Sequence, residues 1–235
     1  MNTPFFFIIL PYLSLFAFLL GSIYRYRNYG FRVTSLSSQI LESKILFFGS
    51  RPFHWGIVFL FFGHLTGFLI PRGVLAWNGK PVRLYILEIA ALAFALLCLF
   101  GIGVLLYRRT DIKRIRVNTT KMDVLVFIMI LVSVVTGIYT AVFFRWGSSW
   151  FAIVMAPYIR SIFAFNPNVT AILPLPLMVK IHVVSAFVLI GMLPYTRLIH
   201  VLVYPVHYFW REYQVVIWNK RSTGTFRHKD ELKEA

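Results

Sequence analysis

Long apolar runs dominate this chain, separated by short segments that carry most of its polar and basic residues. Five of the runs reach the roughly 20 residues that a helix needs to cross the hydrocarbon core of a bilayer. They fall at approximately 4 to 24, 53 to 71, 84 to 107, 124 to 144 and 179 to 204. The pattern predicts an all-α integral membrane bundle of five transmembrane helices over residues 1–204, followed by a polar tail, 205–235, that is mobile or held by a partner. Between the fourth and fifth runs, WFAIVMAPYI and AILPLPLMV are too short or too Pro-broken to span. They read as interfacial or re-entrant segments.

Composition excludes a soluble core: 59% of the 235 residues are apolar, 18% are aromatic, and the mean hydropathy is positive. The formal net charge of +16 adds orientation. Basic residues flank the apolar runs, the positive-inside pattern of a bacterial-type membrane protein and not the patch of a nucleic-acid binder. Residues 25–52, 108–122 and 205–235 together hold seventeen Lys and Arg, against six in 72–83 and 145–180. That asymmetry predicts a cytoplasmic C-terminus and, with five spans, an outside N-terminus. The first run has no basic region before it and no small-residue cleavage site, so it reads as a retained helix. A single cysteine, Cys98, allows no internal disulfide, no c-type haem attachment and no thiolate cluster. GxSxG, HExxH and Gly-rich phosphate loops are also missing, which removes the hydrolase readings.

Four histidines lie within the predicted spans: His54 and His64 in FHWGIVFLFFGH on the second, His182 and His200 in IHVVSAFVLIGMLPYTRLIH on the fifth. A polar side chain in hydrocarbon costs several kcal/mol unless it is partnered, so an intramembrane histidine is a functional candidate. Singly, each is equally well an interhelical hydrogen-bonding residue. Jointly they say more, because the two helices run in opposite directions. His54 then meets His200 on the cytoplasmic side, and His64 meets His182 nearer the outside. The spacings do not match: ten residues separate one pair and eighteen the other, about 15 Å and 27 Å of helix. Tilt, imidazole reach and a bend at Pro194 have to absorb the difference. Paired neutral imidazoles suit the axial positions of low-spin iron in two b-type haems, so all four are candidate haem-iron ligands. Gly56, Gly63, Ser185 and Gly191 beside them would admit a flat macrocycle, or serve plain helix packing.

The chain resembles the gamma subunit of respiratory nitrate reductase, a di-haem cytochrome b. GSIYRY, SSQIL, FHWGIVFLFFGH, RVNTTKMD, TRLIHV and PVHYFWREYQVV carry the likeness, which runs from near the N-terminus to about residue 217. The resemblance implies a multi-pass protein of the prokaryotic cell membrane, partnered by an iron–sulfur beta and a molybdenum alpha subunit and by membrane lipid. It implies an outer haem on His64 and His182, an inner haem on His54 and His200, and quinol oxidation beside the outer one. His207 stands where an acidic residue is usual; because it follows Pro205 and lies at the interface, His200 is the preferred ligand. Arg83, at the start of the third span, is the candidate quinone-binding residue. Glu88 is either a proton acceptor or a structural partner of Arg83 or a neighbouring helix. Arg197, one turn before His200, is placed to pair with a haem propionate or to snorkel. The basic loop RRTDIKRIR suits anionic headgroups or an acidic partner face.

Other readings keep the fold. Related cytochromes serve heterodisulfide, sulfite-reducing or nitrite-oxidising complexes, and a haem-free anchor would use the histidines for packing or proton relay.

Overall fold

In lipid no water satisfies backbone amides, so an apolar segment there closes its hydrogen bonds internally as a helix. The computed structural model follows that rule; it describes residues 4–29 and 42–202. SSQIL, His207, His228 and the rest of the tail lie outside the described residues. A π-helical turn, Phe5–Ile9, leads into α1, Leu10–Tyr29. Then come α2 (Lys44–Leu69), α3 (Pro71–Asn78), α4 (Pro81–Asp111), α5 (Lys113–Val117) and α6 (Lys121–Phe143). Short α7 (Gly147–Trp150) and α8 (Ala156–Phe163) flank a second π turn, Phe151–Met155, and α9 covers Leu177–Met192. Among the described residues there is no strand, and five helical stretches, Phe5–Tyr29, α2, α4, α6 and Leu177–Tyr195, are long and apolar enough to cross a membrane.

The helix ends follow local chemistry. Pro71 and Pro81 sit in the first turns of α3 and α4, where an amide hydrogen is not needed. α6 opens with a capping box, Thr120 accepting from the Asp123 amide and Asp123 from the Thr120 amide. α2 begins nine residues before the apolar run that predicted it and carries Pro52 inside. The fifth span differs most from expectation. The α-helix stops at Met192, and 3₁₀ turns at Leu193–Tyr195 and Arg197–Leu202 replace the predicted continuation to 204. Pro194 is the cause, having no amide hydrogen and a ring that clashes with the preceding turn.

α2 and α4 pack with their backbones in near contact. A Cβ on Gly56 would lie 2.7 Å from the Cys98 nitrogen and the Phe94 oxygen, and one on Gly101 would lie 2.7 Å from the Gly49 oxygen. α9 approaches α1 in the same way, with Gly191 against Ser14. Gly56 and Gly191 therefore serve helix packing. One apolar cluster, Cys98, Ile102, Val126, Ile130 and Val134, joins α4 to α6.

A second cluster, Phe7, Met155, Tyr158, Ile162, Val183 and Phe187, lies where the 145–176 segment meets α1 and α9. There Tyr158 donates to the Phe7 carbonyl (2.9 Å), Tyr12 to that of Ile162 (3.1 Å), and Arg160 to those of Phe68 and Leu69. The segment folds into short helices across one end of the bundle, as pieces too short to span must.

At the basic end, Arg108, 3% exposed, donates from Nε to Glu42 Oε2 at 2.7 Å and from Nη2 to the Glu42 carbonyl. Burial pushes the Glu42 carboxyl up, but hydrogen bonds from Arg108 and from the Ile45 and Leu46 amides outweigh it and hold the group below its ordinary range.

Candidate functional site

His54 and His64 stand on α2, ten residues apart; His182 stands on α9, and His200 on the 3₁₀ turn beyond the break. The structure brings them together in twos. The His54 and His200 ring centroids are 6.1 Å apart with planes at 53°, and those of His64 and His182 are 6.3 Å apart at 37°. The break at Pro194 accommodates the unequal spacings, because the chain carrying His200 no longer follows the α9 helix. Among the described residues His54 faces His200; His207 lies outside them.

All four imidazoles are oriented in the same sense. His54 Nδ1 lies 2.7 Å from the Ser50 carbonyl, His64 Nδ1 2.7 Å from that of Leu60, and His200 Nδ1 2.7 Å from that of Arg197. His182 Nδ1 reaches across to α6, 2.8 Å from the Ser133 carbonyl, with Thr136 Oγ1 at 3.4 Å. A carbonyl only accepts, so each Nδ1 carries the proton, and in the neutral ring Nε2 is then the nitrogen that keeps a lone pair. A carbonyl held against Nδ1 in this way fixes a histidine's tautomer for Nε2 ligation.

The geometry fits axial ligation of haem iron. Two imidazole nitrogens each about 2 Å from one metal ion, the distance usual for His ligands, put their ring centroids roughly 6 Å apart, as in both pairs. Among the described residues no three of His, Cys, Asp and Glu converge, whereas a cage made by protein alone needs three or four ligands. Paired ligands match a macrocycle that supplies the remaining positions itself. Gly63 is exposed, and nothing lies within 4 Å of where a Cβ on it would stand. Gly63 is thus the one of the three candidate glycines with space for a flat group. Ser185, buried, donates to the His182 carbonyl instead.

The structure adds residues that sequence reasoning did not find. Gly137 on α6 faces His182, and a Cβ there would come within 3.0 Å of its Cε1 and 3.3 Å of its Nδ1. Phe151 meets the His64 ring edge-on at 5.4 Å and packs on Gly67. α6 has no histidine, yet it forms the back wall of one pair. No signal in its apolar run marks that role.

The charged candidates have partners within the protein, and Glu88 bonds a neighbouring helix, one of the two readings of its sequence. Arg197 pairs through Nε with Asp123 Oδ1 at 3.0 Å and donates from Nη2 to the Asn118 carbonyl. Asp123, 7% exposed, also faces Arg109 at 3.4 Å. Arg83 lies over the Trp77 ring at 5.2 Å, and Trp77 Nε1 donates to the Arg83 carbonyl. Glu88 Oε1 accepts from both the amide and the hydroxyl of Ser148, at 2.9 and 2.6 Å, and so clamps α7 to α4. Arg83 and Glu88 have different partners and form no ion pair among the described residues.

Fold and site define a class: an all-helical, multi-pass membrane protein with two histidine pairs at different heights between the same two chain segments. The chain belongs to the nitrate reductase gamma subunit family, whose model matches residues 3–219. It is 36% identical to the nitrate reductase gamma chain of Bacillus subtilis over 218 residues, covering 91% of this chain and 96% of that one. Identity to the respiratory nitrate reductase 1 gamma chain of Escherichia coli is 33% over 217 residues, covering 90% and 96%. A nitrate reductase-like protein of Mycobacterium tuberculosis, NarX, matches at 28% identity over 92% of this chain but only 34% of its own length.

Proposed function

We propose that the chain is the cytochrome b subunit of a respiratory nitrate reductase in a prokaryotic cytoplasmic membrane, oxidising quinol at the outer side and delivering electrons to an iron–sulfur subunit. Reduction of nitrate belongs to the molybdenum subunit. The observation that carries this reading is the apposition of four imidazoles in two pairs, each with Nδ1 held by a carbonyl and Nε2 free. Histidines so paired would hold a b haem, which would supply one-electron transfer when bound.

The residues of this chain divide the work. His64 and His182 would hold the outer haem, and His54 and His200 the inner one. Carbonyls of Leu60, Ser133, Ser50 and Arg197 set the tautomers. Arg83, lying over Trp77 at the end of α4 nearer His64, is the candidate to hold the quinol head group. Glu88 has one oxygen occupied by Ser148; Oε2 has no hydrogen-bond partner among the described residues and is the candidate proton acceptor. At the opposite end, exposed Lys113, Arg114 and Arg116 on and beside α5 offer a basic face to an acidic partner surface or anionic lipid.

A pyridine haemochrome assay on the purified complex tests the reading. Two protohaems per gamma chain are expected; none would leave a haem-free anchor, and one would dissolve the pairing.

A further inference from the structure

Three of the four histidines take their orientation from regular helix. His54 and His64 use the carbonyl four residues earlier on α2, and His182 is fixed between α9 and α6. His200 is different. It sits on a 3₁₀ turn beyond a proline break, where hydrogen-bond geometry is poorer and the helical ladder has ended. Its Nδ1 partner is the carbonyl of Arg197, at the start of the same turn. An imidazole oriented only by a local 3₁₀ turn is as well placed as that turn is anchored.

Two charged groups anchor it. Arg25 on α1 donates from Nη1 to the Pro194 carbonyl at 2.7 Å and reaches that of Thr196 at 3.5 Å, which fixes the break itself. The turn proper is held from the other side by α6. Asp123 receives Arg197 Nε at 3.0 Å while its other oxygen accepts from the Thr120 amide, so the carboxylate is part of a helix cap and cannot swing freely. A small cavity of about 150 Å³ lies here, with Phe53, Arg109, Asp123, Arg197 and His200 on its wall. Asp123 is 7% exposed and stands between Arg109 and Arg197, so removing its charge leaves two guanidinium groups sharing a poorly solvated space.

We propose that Asp123 is a positioning residue for the inner histidine pair: by holding Arg197, whose carbonyl orients His200, it sets the angle at which His200 faces His54. The inference rests on the haem reading above and concerns the inner pair alone. Among the described residues the outer pair has no link of this kind, and it is the internal control.

The test uses the full complex in membranes, with Asp123→Asn, Arg197→Gln and the double variant. Low-temperature electron paramagnetic resonance of ferric low-spin haem reports the angle between axial imidazole planes, and redox titration reports each haem's potential. Asp123→Asn keeps an oxygen to accept from the Thr120 amide, and Arg197→Gln leaves the α6 cap untouched, so the fold is challenged differently by each. The expected result is a displaced inner-haem signal in both single variants, in the same direction, with the outer signal unchanged. The double variant should displace the inner line positions by less than the sum of the two single variants, because both substitutions cut the Arg197–Asp123 tie. Opposite and additive shifts of the inner potential, with unchanged line positions, would mean that the two charges act only through space and would overturn the proposal. An unaltered inner signal, or loss of both haems together, would overturn it as well. Absence of any low-spin signal from the unsubstituted complex would instead refute the haem reading, and this inference with it.

Discussion

Gly137 is a sharp point at which to test the site, because a helix without a histidine there controls one. A Cβ at position 137 would stand 3.0 Å from His182 Cε1, whereas carbon atoms rest at about 3.5–4.0 Å. Alanine therefore asks the ring to retreat by roughly half an ångström. The ring is not free to do so, since its Nδ1 is tied to the Ser133 carbonyl at 2.8 Å on the same wall. Gly137→Leu adds three further carbons to that gap, and overpacking of a filled site costs about 1–3 kcal/mol. Charged against outer-haem binding, that is about a 5- to 150-fold loss of affinity, at tenfold per 1.4 kcal/mol. The assay is a reduced-minus-oxidised spectrum with potentiometric titration, which resolves the two haems. Gly137→Ala should keep both haems and shift the outer one's line positions; Gly137→Leu should lose the outer haem and retain the inner. Full loading of both haems in Gly137→Leu, with unchanged outer line positions, would refute the argument.

Each histidine should report on its own pair: His64→Ala or His182→Ala should remove the outer haem and abolish quinol oxidation, while His54→Ala or His200→Ala should remove the inner haem, by optical spectra of membranes. The Glu42–Arg108 contact makes a pH prediction. Because the folded carboxyl titrates below its ordinary value of about 4.3, its stabilisation is present above that value and disappears as pH falls through the lowered one. Thermal unfolding scans between pH 7 and pH 3 should show a drop at the acid end that Arg108→Gln diminishes, along with a loss of about 1–3 kcal/mol at neutral pH. Reconstituted in tight vesicles with the cytoplasmic face inward and an electron acceptor in the lumen, the complex should release quinol protons to the exterior. Acidification of the lumen would place the quinol site at the other side.

The sequence by itself determined the number of spans, their class and the four histidines. Length and hydropathy suffice for the first two, because lipid leaves an apolar chain little choice but helix. Antiparallel runs of two helices then dictate which histidine meets which, before any contact is known. Pro194 marked the break in the fifth span, though not that the chain would continue as 3₁₀ turns past it. What the tertiary structure decided are the groups behind the histidines. Arg197 turns to Asp123 on another helix, Glu88 to Ser148, and His182 to Ser133 and Gly137. Gly56 and Gly191, adjacent to the histidine motifs in sequence, were spent on helix contacts, while Gly63 kept open space. The reason is physical: hydropathy fixes that a helix is buried in lipid but says nothing of its rotation about its own axis. A few tens of degrees of that rotation, and a few tenths of an ångström in the approach of two backbones, choose which side chain faces which.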